Sequence, residues 1–314
     1  MLRIIIRRIG LAIPILLGVS IIVFLLMQVL PGNEESQLLS EDSTDAERAQ
    51  LAHRLGLDQP LPLRYLHWLG QALHGDLGYS LIRQRDVTDL IAQAWANTAV
   101  LALVSAAFGI TLGLILGYIA GTRRGSLIDR IVGVASLAGL SIPSFFLAIV
   151  LLAVFASWLR ILPSGGATFD AGPVIAIRSL ILPVLSGSLI TMAITARVTR
   201  ASIVDVLGED FVETLRAKGL TEWEVRRHVL RNAISPVLTT SGVQIGALLG
   251  GSVLVETIFR WPGMGLLVFN AISSRDLIVV QGATLVIALT FVLINLAVDL
   301  VQATIDPRVR GAVS

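Results

Sequence analysis

Apolar residues gather into six long runs along the chain, at residues 9–30, 97–121, 131–159, 179–196, 234–259 and 279–301. Each meets or approaches the ~20 apolar residues that a helix needs to cross a bilayer core. The third run is interrupted at Ser141-Ile142-Pro143-Ser144. Proline removes a helix hydrogen bond and clashes with the preceding turn, so a kink is predicted there. The fourth run is the shortest and carries Pro183 in its first turns. The pattern predicts an all-α membrane protein of six transmembrane helices.

The polar stretches divide the chain into residues 1–30, a start and first span; 31–96, an outer loop; and 97–314, a five-helix core. A second long polar stretch, 201–235, lies inside that core. In the outer loop, Thr44-Asp45-Ala46-Glu47 has capping-box spacing. After Pro60 and Pro62, residues Leu63, Leu66, Leu69 and Leu73 recur at helical spacing, with Tyr65 and Trp68 suited to a membrane interface. Two readings stand: a folded cap where a partner docks, or a surface helix pair.

Composition agrees with the spans. The chain is 54% hydrophobic and 15% charged over 314 residues, too apolar for a soluble domain of that length. It has no cysteine, which excludes disulfides and thiolate metal sites. The first run has a basic start, Arg3, Arg7 and Arg8, but is longer than the about 7–15 apolar residues of a signal peptide and reads as an uncleaved anchor. Arginine and lysine cluster at the N-terminus, at Arg123, Arg124 and Arg130, at Arg216, Lys218, Arg226, Arg227 and Arg231, and at Arg308 and Arg310. All four clusters fall on one side of a six-span arrangement, which places both termini in the cytoplasm. The basic residues flank spans and form no stripe, so nucleic acid is no expected partner.

Within the spans, Gly109, Gly113, Gly117 and Gly121 recur every fourth residue, as do Gly242, Gly246 and Gly250. Such stripes let helices approach backbone to backbone. They suit packing inside the bundle or a surface facing another subunit. Charges at membrane depth default to function; Glu256, near the outer end of the fifth span, and Asp299, near the inner end of the sixth, lie close enough to an interface to be partly solvated and are candidates for a structural or gating role or for solute contact, as is Pro143 for gating.

The inner loop is charged and helix-patterned. Glu209 and Asp210 favour a helix N-terminus there, Glu213 and Ala217 stack one turn apart, and Gly219 can supply a left-handed cap. Thr221 with Glu224 then forms a capping box that opens a second helix into the fifth span. A short helix with small residues at its tip can enter a shallow groove. Arg226, Arg227 and Arg231 suit anionic headgroups.

The series Glu213-Thr214-Leu215-Arg216-Ala217-Lys218-Gly219-Leu220, with Arg231-Asn232-Ala233 and Pro236, resembles the coupling loop of ABC importer permeases. Thr214 and Leu215 stand where that signature usually has two alanines, a variant similar to the dipeptide/oligopeptide/nickel permeases. Leu55-Gly56-Leu57-Asp58-Gln59-Pro60-Leu61, Gly75-Asp76-Leu77-Gly78, Leu162-Pro163, Trp261-Pro262-Gly263-Met264-Gly265, Arg275-Asp276 and Asp306-Pro307-Arg308 resemble the same family along the whole chain. Pro31-Gly32-Asn33-Glu34 departs from the usual Pro-Gly-Asp-Pro, and the long outer loop is similar to the B-type, first permease subunit.

The resemblance implies a multi-pass permease of the bacterial cytoplasmic (inner) membrane, working by alternating access. Its implied partners are a second permease, two ATP-binding cassette ATPases that use ATP and Mg, an extracytoplasmic solute-binding protein and lipid. Glu213, Arg216, Ala217, Lys218 and Gly219 would contact the ATPase. This chain would hold no cofactor or metal, and it lacks G-x-x-x-x-G-K-[ST]. Short peptides are the first solute expected, with nickel, glutathione or another small solute as alternatives. A secondary transporter would call for inverted repeats or midplane acids, and an intramembrane enzyme for HExxH or GxSxG, and neither set is found.

Overall fold

Long uninterrupted apolar runs become long helices in the computed structural model, which describes residues 2–29, 59–166 and 172–305. Helix α1 spans Leu2–Val29. Helix α2, Leu61–Leu73, begins with proline in its first turn, where the missing N–H costs nothing. A two-stranded antiparallel hairpin, β1 (Tyr79–Ser80) and β2 (Arg85–Asp86), pairs Tyr79 with Asp86. It leads into α3, Val87–Thr122. The capping-box residues at 44–47, the motif at 55–58, Pro31-Gly32-Asn33-Glu34 and Asp306-Pro307-Arg308 lie outside the described residues.

The third apolar run breaks at Pro143, where the sequence predicts a kink, into two helices. Helix α4 (Leu127–Ser141) and helix α5 (Ser144–Leu151), which runs on as a π-helical segment over Leu152–Trp158, meet at 98°. Pro143 excludes helical backbone from the residue before it, and Ile142 is extended at φ −82°, ψ 118°. The proline then serves as the N-cap of α5.

The fourth run, shortest in the sequence, sits in one of the longest helices: α6, Pro173–Leu207, carries Pro183 in its interior without ending there. Helix α7 is Asp210–Ala217 and α8 is Glu222–Gly251. Two helices that the apolar pattern did not separate follow, α9 (Val253–Ile258) and α10 (Met264–Ser273), before α11 (Leu277–Ile305). The second and fourth spans begin before residues 97 and 179, because polar residues such as Asp89 and Arg178 are carried inside the helices.

By length and composition, three described helices can cross a membrane, at Val87–Thr122, Pro173–Leu207 and Leu277–Val298. The bent α4–α5 pair makes a fourth if it is counted as one span. Gly10–Leu26 of α1 is apolar but shorter, and α8 carries Thr239, Thr240, Ser241 and Gln244 within its apolar half.

Helices α3 and α6 form the most extensive pair, and α6 also packs on α8, α4 and α5. The glycine stripe of α3 faces α6. A Cβ at Gly113 would lie 2.6 Å from Thr195 Cβ, one at Gly117 2.5 Å from Ala196 O, and one at Gly121 2.8 Å from Ile203 Cβ. No side chain fits there, so the two backbones are in contact. Gly242 of α8 approaches Val298 of α11 in the same way, 2.6 Å from Cγ1, whereas Gly246 has its nearest neighbour, on Ile294, at 3.5 Å. Gly250 belongs to the last turn of α8 and Asp299 to α11. At the start of α4, the Arg200 guanidinium grips both oxygens of buried Asp129, with Nη2 2.9 Å from Oδ2, and ties α4 to α6.

Candidate functional site

The polar loop folds as α7, a tight turn and the first half of α8. Val212, the buried residue of α7, meets Ile203 and Val206 of α6 and Val225, Val229 and Ala233 of α8, with Phe211, Leu215, Leu220 and Tyr118 around them. Val212 and Val225 are fully buried, so the back of α7 is fixed to the bundle by an apolar plug. The opposite face is open: Glu213, Thr214, Arg216, Ala217, Lys218 and Gly219 are all exposed.

The turn is built by backbone geometry. Gly219 has φ +82°, the left-handed conformation that only glycine adopts without cost. Leu220 N donates to Leu215 O at 3.3 Å and Gly219 N to Arg216 O at 2.9 Å, the paired bonds of a Schellman cap. Leu215 and Leu220 supply the apolar contact that accompanies it. Two residues on, Thr221 opens α8: its N–H donates to Glu224 Oε2 at 2.8 Å, and Glu224 N donates to Thr221 Oγ1 at 3.4 Å. The expected cap and capping box are both formed.

Across the turn, Arg216 Nε donates to Glu222 Oε1 at 2.9 Å and pulls that carboxyl below its usual range. The Thr221 N–H does the same for Glu224. Both pairs are solvated, so they fix direction more than they add stability. The result is a short rigid helix with a charged outer face and a narrow tip at Ala217–Gly219.

A second polar centre involves Glu256, which the sequence placed near a partly solvated interface. The structure corrects that: Glu256 is fully buried. Its Oε1 accepts from Thr98 Oγ1 at 2.8 Å and Ser252 Oγ at 2.6 Å, and its Oε2 from the backbone of Gly265 at 2.7 Å and Leu266 at 3.2 Å. The carboxylate thereby caps the N-terminus of α10, where free N–H groups and the helix dipole favour negative charge. Thr98 Oγ1 also accepts from Met264 N at 2.8 Å. A Cβ at Gly265 would lie 2.5 Å from Val253 Cα, so α9 and α10 close around the acid only with glycine there.

Buried Trp261 extends this latch, donating Nε1–H to Asn97 O at 2.9 Å, while Asn97 Nδ2 donates to Pro262 O at 2.9 Å. Nearby in sequence, buried Asp276 accepts from Ser80 Oγ at 2.6 Å and so pins the hairpin to the turn before α11. The sequence reading singled out Glu256 but missed Thr98 and Ser80, whose partners lie 158 and 196 positions away. The available signal was the dense Trp261–Gly265 motif beside an acid. Among the described residues, Glu213, Arg216, Ala217, Lys218 and Gly219 stand on the exposed face of α7 and its turn, apart from Glu256, Pro143 and the glycine stripes. Among the described residues, no group of three or more His, Asp or Glu is placed to hold a metal.

Comparison with known proteins covers almost the whole chain. Residues 109–311 match the family described as binding-protein-dependent transport system inner membrane component, and residues 1–102 match its N-terminal companion. The chain is 41% identical over 318 residues to a Brucella suis biovar 1 protein whose name includes peptide permease protein, covering 99% of both. It is 41% identical over 312 residues, again 99% of both, to the glutathione transport system permease protein GsiC of Escherichia coli strain K12. In three dimensions it is similar to a chain of the MetNI methionine ABC transporter in an inward-facing form, at TM-score 0.54 and 18% identity, over 69% of this chain and 96% of that one.

Proposed function

The chain belongs to the family of binding-protein-dependent transport system inner membrane components, a permease of an ABC importer, and from that premise we propose that it carries short peptides into the cytoplasm by alternating access. The observation that carries the reading is the exposed face of α7. A helix held rigidly by a buried apolar back, with charged and small residues outward, has the form of a part made to be pushed. Motion imposed on its tip passes through Val212 into α6 and α8 as a rigid body, because a packed apolar plug does not deform continuously.

The pusher is a pair of ATP-binding cassette ATPases that hold ATP and Mg. A second permease completes the passage, and a solute-binding protein delivers cargo to the outer face. Glu213, Arg216, Ala217, Lys218 and Gly219 contact the ATPase. Glu256 and Pro143 set the outer latch and the α4–α5 break, Asp299 stands in the last helix, and the glycine stripes hold the bundle. The fold is threaded six times through the membrane, with both termini, the Arg123–Arg130 turn and α7 in the cytoplasm. Positive charge on those loops supports that direction.

Short peptides are favoured because the two named relatives bear peptide and glutathione in their names, and glutathione is itself a peptide. The test is uptake of labelled tri-alanine, glutathione and nickel by proteoliposomes containing the whole importer. ATP-dependent uptake of the first two is expected. Uptake of nickel alone would reassign the cargo within the same machinery, and uptake driven by an ion gradient without ATP would reject it.

A further inference from the structure

Between α3, α5, α6 and α8 lies a cavity of about 140 Å³. Its polar lining is Ser105, Ser144, Thr191, Gln244 and Ser252, and the rest is apolar or glycine, including Gly187. Among the described residues, no ionisable side chain lines it. Two of its walls stand at breaks in the helices. Ser144 opens α5 directly after Pro143, and Ser252 is the joint between α8 and α9, its hydroxyl already engaged by Glu256. Interrupted backbone at membrane depth is tolerated where it lines a cavity.

Ser105 gives the cavity its chemistry. The residue is 1% exposed, and its Oγ has no hydrogen-bond partner among the described residues. Buried hydroxyls are almost always paired, and an unpaired one is costly. Gly187 keeps the space beside it open, since a Cβ there would lie 3.4 Å from that Oγ. Packed in the wall of the cavity beside Gly187, this hydroxyl gains a partner only when that wall shifts, as it would in a transporter that changes state.

We propose that this chamber is a segment of the solute path and receives one uncharged, amide-bearing unit of a peptide at a time. A peptide unit offers one N–H and one C=O. Serine and glutamine side chains can donate to one and accept from the other. The absence of charge in the lining means that the charged ends of the peptide are not held here, so a passing chain is not trapped by an ion pair. Size sets the single unit: a cavity of about 150 Å³ admits one benzene ring, not a whole tripeptide. The proposal rests on the peptide-import reading above and adds the place and the chemistry of contact.

The chain has no cysteine, so single cysteines report cleanly once the partner subunits are also made cysteine-free. Ser105→Cys, Gln244→Cys and, as a membrane-facing control, Leu289→Cys are placed in the complete importer in proteoliposomes and treated with a water-soluble methanethiosulfonate. A thiol reacts as the thiolate, which needs water. Cavity positions should label, the control should not, and labelling should differ between nucleotide-free and vanadate-trapped complexes. Labelled complexes should lose tri-alanine uptake while basal ATP hydrolysis persists, and Ala247→Phe, which fills the chamber, should do the same. Absence of labelling at both cavity positions, labelling that ignores the nucleotide state, or labelling with uptake intact would each overturn the proposal. If the unsubstituted importer carries neither tri-alanine nor glutathione, the peptide reading fails first, and with it the assignment of an amide ligand. The nucleotide-dependent labelling then still decides whether the chamber lies on the path.

Discussion

Thr98 and Glu256, 158 positions apart, are joined by a buried hydrogen bond in which the threonine hydroxyl donates to Oε1 at 2.8 Å. Through it the first third of α3 is bound to the α9–α10 elbow, because the same hydroxyl accepts from Met264 N and the same carboxyl from Gly265 and Leu266. Four donors converge on this buried carboxyl and satisfy both of its oxygens, which is what makes its burial tolerable.

Glu256→Ala removes the acceptor and leaves two backbone donors and two hydroxyls buried. The expected loss is about 3 kcal/mol, from unsatisfied groups at 1–3 kcal/mol each with partial relaxation. Glu256→Gln keeps the shape but turns an N–H₂ toward a donor, and should cost roughly half as much. Thermal unfolding of the detergent-solubilised protein checks this, and an unchanged midpoint for Glu256→Ala would remove the latch from the account.

The glycine stripes are unequal, and that gives a graded test. Gly117→Ala puts a methyl 2.5 Å from Ala196 O and Gly113→Ala one 2.6 Å from Thr195 Cβ, while Gly246→Ala meets nothing closer than 3.5 Å. The first two should destabilise by about 1–3 kcal/mol through overpacking and reduce the yield of folded protein. The third should behave as the parent does in size-exclusion profile and melting temperature.

Much of this was legible from residue order. Gly219, Thr221 and Glu224 act through bonds to neighbours within five residues, so the turn and the capping box could be read directly. Pro143 announced a disruption, but the 98° break depended on how α5 packs against α6 and α9, which no local pattern contains. The length of α6 was missed because polar residues such as Arg178 and Asp205 sit at its ends, beyond the apolar run. Thr98, Ser80 and Ser105 are ordinary hydroxyls in sequence; only the tertiary fold gives the first two their acids and leaves the third without a partner.

The turn between α7 and α8 should depend on pH in one direction. Glu222 and Glu224 are both held below the usual glutamate value of 4.5, by Arg216 and by the Thr221 N–H respectively. A lowered folded-state value means their support is present above pH 4.5 and is lost as pH falls below it, through the lowered values. Amide exchange at Thr221, measured by mass spectrometry on peptides covering the turn, should therefore lose protection below pH 4.5 and be flat between 6 and 8. Protection that rises on acidification would contradict the capping geometry.

The exposed tip of α7 carries the central claim, and Ala217→Trp tests it most directly. Ala217 is exposed and contributes nothing to the apolar plug around Val212, so the variant should fold, insert and assemble with its partners as the parent does. The measurement is ATP hydrolysis by the reconstituted importer with and without solute-loaded binding protein, alongside uptake. The account predicts that stimulation by loaded binding protein and uptake are both lost while the complex stays intact. Retention of both by Ala217→Trp would contradict it, for the helix would then not be the part that the ATPase moves.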